Sequence, residues 1–182
     1  GKGARCYERG VQRTDSAVIT VSASEVYAGG EIKPDVTVTL DGTALNAENY
    51  EVSYTDNTNG GTATVTVKGT AANYYGGEAS AAFAITKRQI TVTPSAGQSK
   101  TYGATEPVFA YSSSETGATF TGALARETGD NVGTYAYTLG SLSAGTNYTL
   151  TLNNNADKFK ITAKDASALN AALSVTSYVY DG

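Results

Sequence analysis

Apolar and polar residues alternate with period two along most of the chain, which is the pattern of strands with one covered and one wet face. In the first half, Val36, Val38 and Leu40 share one phase against Thr37 and Thr39; Tyr50, Val52 and Tyr54 oppose Glu51 and Ser53; and Ala63, Val65 and Val67 oppose Thr62, Thr64 and Thr66. Ala81, Phe83 and Ile85 form the last inward set there. In the second half the inward sets are Ile90 with Val92, Val108 with Ala110, Tyr135 with Tyr137 and Leu139, Tyr148 with Leu150 and Leu152, and Phe159 with Ile161. One wet face per strand predicts antiparallel sheets packed on one side, because parallel strands covered on both faces read as continuous apolar runs. Turns are predicted where Gly and Asn cluster, at Asp41-Gly42, 56–61, Gly76-Gly77, 129–133, 143–147 and 153–155. Helix is confined to single turns near 44–49 and 165–171.

The alternation is organised in repeats. Ile19-Thr20-Val21 is matched by Ile90-Thr91-Val92 and, in a third equivalent place, by Leu173-Ser174-Val175. Each triplet precedes a tyrosine with nearby glycine: Tyr27-Ala28-Gly29, Tyr102-Gly103 and Tyr180-Asp181-Gly182. Asn59-Gly60-Gly61-Thr62 returns as Asn131-Val132-Gly133-Thr134, Asn73-Tyr74 as Asn147-Tyr148, and Phe83-Ala84-Ile85-Thr86 as Phe159-Lys160-Ile161-Thr162, at offsets of 72, 74 and 76 residues. This slow drift reads as loop-length variation in a common frame. The expected organisation is an N-terminal extension or linker over 1–15, an immunoglobulin-like β module over 16–87, a second β module over 88–164, and the start of a third repeat over 165–182. Lys87-Arg88 leaves no flexible spacer, so the expected fold class is all-β, with tandem small immunoglobulin-like antiparallel β-sandwich modules arranged end to end.

Composition narrows the chemistry. The 182 residues include 27 Thr and 13 Tyr, which suit strands, but no His, Met or Trp. Without histidine there is no Ser-His-Asp or Cys-His pair and no imidazole ligand for zinc or haem. Cys6 is alone, so it has no internal disulfide partner. Its two readings are a lone thiol in the extension and an external attachment point. The net charge of −4 is modest, and the basic stretch Lys2, Arg5, Arg9 and Arg13 lacks the aromatic interleaving of a nucleic-acid site. No run approaches the ~20 apolar residues of a membrane span, and Gly1–Gly10 has no apolar core of a signal peptide. The chain reads as a piece of a longer parent.

The stretch from Gly122-Ala123-Leu124-Ala125-Arg126 through Gly129-Asp130-Asn131-Val132-Gly133-Thr134-Tyr135, with Gly145-Thr146-Asn147-Tyr148 and Phe159-Lys160-Ile161-Thr162, resembles the MBG domain. Tyr102-Gly103-Ala104 with Pro107 resembles its YGX type, over about residues 88–164. Val179-Tyr180-Asp181-Gly182 resembles the start of the related YDG domain, and 16–87 is similar to immunoglobulin-like repeats of bacterial surface proteins. The resemblance implies tandem repeats in long secreted or wall-associated bacterial proteins, adhesins among them. It brings no catalytic residues.

Asp56-Asn57-Thr58-Asn59-Gly60-Gly61 offers oxygens to a calcium ion, yet Val67 stands where the terminal bidentate Glu belongs, so a hairpin turn is the better reading. Gly129-Asp130-Asn131 reads as a turn on the same grounds. Glu106, Glu115, Glu127 and Asp130 could supply a glycosidase pair, but a module of about 75 residues has little volume for both a core and a cleft, and solvated surface charge is expected. Most tyrosines run in phase with the aliphatic core. Tyr74 and Tyr75 are adjacent and point to opposite faces of a strand, so they are the candidate exposed ligand-contact aromatics. Lys33 is expected to be a solvated lysine at a strand end rather than a buried nucleophile. No catalytic residue, cofactor or metal is expected.

The expected role is a non-catalytic stalk or spacer of a bacterial cell-surface or secreted adhesin-like protein, extracellular, with its signal and anchor outside this stretch. The alternative is a module that binds carbohydrate or a host protein through loop Tyr and Asn residues or a groove between modules. Expected partners are neighbouring repeats of the parent chain, with a glycan or host surface protein under the alternative. Nucleic acid and membrane insertion are not expected, and the chain should be monomeric.

Overall fold

The computed structural model describes residues 12–70, 75–153, 156–166 and 180–182, with the side chains of residues 12 and 75 left aside. Cys6, Tyr74 and most of the third repeat lie outside the described residues. The chain divides into two compact units. Unit 1 runs to Ile90 and takes in Gly117–Phe120 and Ala144–Leu150; unit 2 comprises Thr91–Thr116, Thr121–Ser143 and the residues from Thr151 onward. The fold is all-β and sandwich-like, with several small sheets.

The strands of the first part are β1 (Gln12–Arg13), β2 (Val18–Thr20), β3 (Ser24–Val26), β4 (Thr37–Leu40), β5 (Thr43–Ala44), β6 (Tyr50–Thr55), β7 (Gly61–Gly69), β8 (Tyr75–Gly76) and β9 (Glu78–Thr86). They form a three-stranded sheet β2-β4-β5, a four-stranded sheet β3-β9-β7-β6 and the pair β1-β8. Asp41-Gly42 closes the β4–β5 hairpin with both residues at positive φ, 49° and 78°, the twist that a two-residue hairpin turn requires. Each sheet turns one alternating set inward: Val38 and Leu40 from β4, Ala63, Val65 and Val67 from β7, and Phe83 and Ile85 from β9 are all buried. Ile32, Ala63, Phe83 and Ile85 form a cluster that Val21, Tyr27 and Tyr54 pack against. The Tyr54 hydroxyl donates to the Pro34 carbonyl at 2.6 Å, which lets the ring be half-buried without an orphaned donor. Thr14, fully buried, donates instead to the carbonyls of Gly76 and Gly77. The expected helical turn near 44–49 is a single 3-10 turn at Ala47–Asn49.

The remaining strands are β10 (Arg88–Pro94), β11 (Ser99–Thr101), β12 (Tyr111–Ser113), β13 (Ala125–Arg126), β14 (Gly133–Tyr135), β15 (Tyr137–Thr138), β16 (Tyr148–Leu152) and β17 (Phe159–Thr162). They form sheets β12-β10-β16 and β11-β17-β14 with the pair β13-β15. Val92, Phe159 and Ile161 are fully buried, and Phe109, Tyr137 and Phe159 meet edge to face at centroid distances of 5.1–6.4 Å.

The two repeats share their pairing register. Gly61 stands opposite Ile85 and Ala63 opposite Phe83; in the same places Gly133 stands opposite Ile161 and Tyr135 opposite Phe159. Glu25 and Lys100 pair with those same isoleucines, and the N–H groups of Tyr27 and Tyr102 donate to Thr86 and Thr162 at 2.9 and 2.8 Å.

Three expectations are corrected. The sheets are not purely antiparallel: β1–β8, β3–β9 and β11–β17 are parallel pairs. In each repeat the first strand divides, its first half joining one sheet and its second half crossing to pair with the last strand of the other. A period-two pattern carries no sign of strand direction, so it could not reveal this. Val108 and Ala110 are not inward; Val108 is 91% exposed and Phe109 is buried. Gln98 sets that phase, bonding Ser95 and both backbone groups of Ala110 through its side-chain amide, while Pro107 lacks the N–H a strand would need. Val52, on the edge strand β6, is 37% exposed instead of inward. Among the described residues no helix is long and apolar enough to cross a membrane.

Phe83→Ala should lower stability by about 3–5 kcal/mol, since it opens a cavity in a fully packed cluster. Chemical denaturation read by tyrosine fluorescence checks this: the midpoint should fall with the slope unchanged.

Candidate functional site

The strongest concentration of charge in the described residues forms around Arg126, at the end of the Gly-Ala-Leu-Ala-Arg stretch. β13 places it opposite Tyr137, pointing its side chain at 8% exposure across the Tyr135 and Phe159 rings, 4.7 and 5.3 Å from their centroids. A guanidinium so enclosed must have its donors satisfied. Nε and Nη2 grip the Glu106 carboxylate as a fork, Nη2 to Oε2 at 2.9 Å, and Nη1 donates to the carbonyls of Glu127 and Gly129 at 2.9 and 2.6 Å. Lys100, 10% exposed on β11, pairs with the same Glu106 carboxylate, and Asp130 lies 3.6 Å from Arg126 at the solvent edge.

The loop after Arg126 is shaped to this cluster. The Tyr135 hydroxyl donates to Asn131 at 2.7 Å, and a Cβ on Gly129, whose φ is +143°, would lie 2.5 Å from the Tyr135 ring. The opening glycine of the stretch answers a closer approach. At Gly122, φ +75°, a Cβ would fall 2.1 Å from the Ser141 carbonyl oxygen, a separation no side chain permits. Glu127 is tied by its carboxylate to the Ala136 N–H at 3.1 Å.

The expectation of solvated surface charge therefore fails for Glu106, whose carboxylate is taken up by Arg126 and Lys100, and holds for Glu127 and Asp130, both exposed. Hydrogen bonding from Arg126, helped by Lys100 and opposed by desolvation, holds the Glu106 carboxyl down at about 2. A glycosidase acid needs the opposite shift, upward toward neutrality. What Glu106 can do here is hold two cations. An open cleft of about 500 Å³ borders the cluster, with Pro107, Val108, Phe109 and Leu124 on its apolar side.

The other candidates separate. Residues 56–60 form the turn between β6 and β7, with buried Asn57 donating its side-chain amide to the Ile32 carbonyl at 3.0 Å and accepting the Ile32 N–H on its own carbonyl at 2.8 Å. Lys33 is 57% exposed and pairs with Glu31 at 2.5 Å, which holds its ammonium pKa up. Tyr74 lies outside the described residues, and Tyr75 is described only as backbone in β8, paired with Gln12. Among the described residues no group of three or more Cys, Asp or Glu side chains could hold a metal. The sequence reading missed the Lys100–Glu106–Arg126 cluster; the one available signal was three charges in a chain only 16% charged.

A small all-β repeat domain whose most distinctive residues are turned inward is the class of protein this geometry defines. Residues 90–159 match the family model of the MBG domain (YGX type), a match that suggests a bacterial surface repeat domain. No curated protein and no solved structure matches the chain.

Glu106→Gln should cost about 2 kcal/mol, below the 3–5 of a fully buried pair because Glu106 is 38% exposed; urea titration checks it. The pH dependence has a definite sign. Folded Glu106 titrates at about 2 against 4.5 for the free carboxyl, so the cluster's contribution is complete above pH 4.5 and is lost as pH falls toward 2. Melting temperatures across that window should show a fall in the parent chain that is shallower in Glu106→Gln.

Proposed function

We propose that the chain is a non-catalytic structural repeat, a stalk or spacer of a bacterial cell-surface or secreted adhesin-like protein, and that it acts outside the cell. The observation that carries this reading is the use made of the stretch that marks the MBG domain. Gly122, Arg126 and Gly129 are all committed to close backbone approach or to an internal ion cluster, and the carboxylate nearest a cleft is held far below the range of a general acid. Repetition of the same strand register supports a chain that gains length by adding units. Thr- and Ser-rich outward strand positions keep such a chain solvated without a strong net charge.

A second reading, a module that binds a glycan or host protein, is favoured by the open cleft beside Arg126 and by Val108 at its edge. Small-angle X-ray scattering tests the spacer. A compact fold of 182 residues has a radius of gyration near ~16 Å. The spacer reading expects a clearly larger value and a rod-like distance distribution; a value near the compact estimate overturns it and directs attention to ligand screening at the cleft.

A further inference from the structure

Unit 1 contains a small docking arrangement. The segment Ala144–Leu150, which the repeat pattern assigns to the second repeat, folds as part of this unit. Its Asn147 side chain accepts the Gly60 N–H on Oδ1 and donates Nδ2 to Asn59 Oδ1, both at 2.9 Å, while its carbonyl accepts the Arg88 N–H at 3.0 Å. Tyr148 meets Tyr27 edge-on, with centroids 5.3 Å apart and planes at 86°. The receiving surface thus has two parts: the tyrosine that follows β3, and the Asn-Gly turn that leads into β7.

Both parts recur in unit 2, at positions that the strand register makes equivalent. Tyr102 follows β11 as Tyr27 follows β3, each anchored by its N–H to the last strand, and Asn131-Val132 leads into β14 as Asn59-Gly60 leads into β7. Here the surface is open: Tyr102 is 50% and Val132 56% exposed. Valine in place of glycine does not close it. A Cβ on Gly60 would lie 3.5 Å from Asn147 Oδ1 and 3.6 Å from the Ile85 carbonyl, ordinary contact distances at a backbone conformation any residue adopts.

The occupant is named by the repeat itself. Asn-Tyr recurs at an equivalent place in both repeats, as Asn73-Tyr74 and Asn147-Tyr148, besides Asn49-Tyr50 at the start of β6, and Tyr180 stands where a further repeat places its Tyr102. We propose that Tyr102 and Asn131-Val132 form a receiving surface for the Asn-Tyr segment of a following repeat of this same kind, bound by one side-chain amide and one edge-on ring. The inference rests on the tandem-repeat reading and makes it specific, assigning the link between successive repeats to uncharged groups. Its strength is accordingly insensitive to salt.

Amide hydrogen exchange tests this in a chain where a second copy of residues 88–164 follows Lys164. The Gly60 amide is the internal standard, slow in the parent and fast in Asn147→Ala. In the longer chain the Val132 amide should slow at least ten-fold relative to the 182-residue chain. Asn147→Ala in the added copy alone should return it to the original rate, and Tyr102→Ala should restore most of it. A Val132 amide that exchanges equally fast in both chains, while Gly60 stays protected, overturns the proposal. Scattering from the same longer chain reads the spacer separately: a rod without Val132 protection leaves the spacer standing and removes this contact, whereas a compact particle removes the spacer.

Discussion

Each repeat is closed by the parallel pairing of the second half of its first strand to its last strand. Glu25 with Ile85, and Lys100 with Ile161, are the central pairs of that closure. A strand that serves two sheets ties them together covalently, which a small module needs because its core alone buries little surface. The pairing also decides what stands at the edge of the fold. It carries Lys100 to Glu106 and Arg126, and it ends at the Tyr27 and Tyr102 N–H groups, with the Tyr27 ring against the core cluster and Tyr148 and the Tyr102 ring half exposed.

The Arg126 cluster follows from that closure. An arginine this enclosed is stable only if its fork, its remaining donors and its ring faces are all met, and here a carboxylate, two carbonyls and two aromatic rings do so. The polar cluster therefore specifies the geometry of the loop 127–131 more than it adds to net stability, and glycine at 129 is the consequence of the Tyr135 ring lying against it. Residues that would attract attention as chemistry in a sequence are, in the fold, its internal fittings.

Much of the strand content was legible because burial on one face imposes period two whatever the partner: Val38, Val65, Phe83, Val92 and Phe159 are all where alternation puts them. The hairpin at Asp41-Gly42 and the turn at 56–60 were legible because few residues adopt positive φ. The phase of Val108 and Phe109 was not, since it is set by the Gln98 amide ten or more residues away rather than by local pattern. The candidate aromatics Tyr74 and Tyr75 were chosen on adjacency; the exposed tyrosine rings among the described residues of unit 2 are Tyr102 and Tyr180.

The sequence by itself determined the all-β class, the repeat and its drift, the turns, and the absence of histidine chemistry, because each depends on residue type or on spacing along one strand. Only the tertiary structure decided the direction of the pairing, the inward turn of Arg126 and Glu106, and the meeting of Asn147 with Asn59. Those depend on which distant segments share a neighbour, and hydrogen bonds between residues 20 to 88 positions apart leave no period in the chain that makes them.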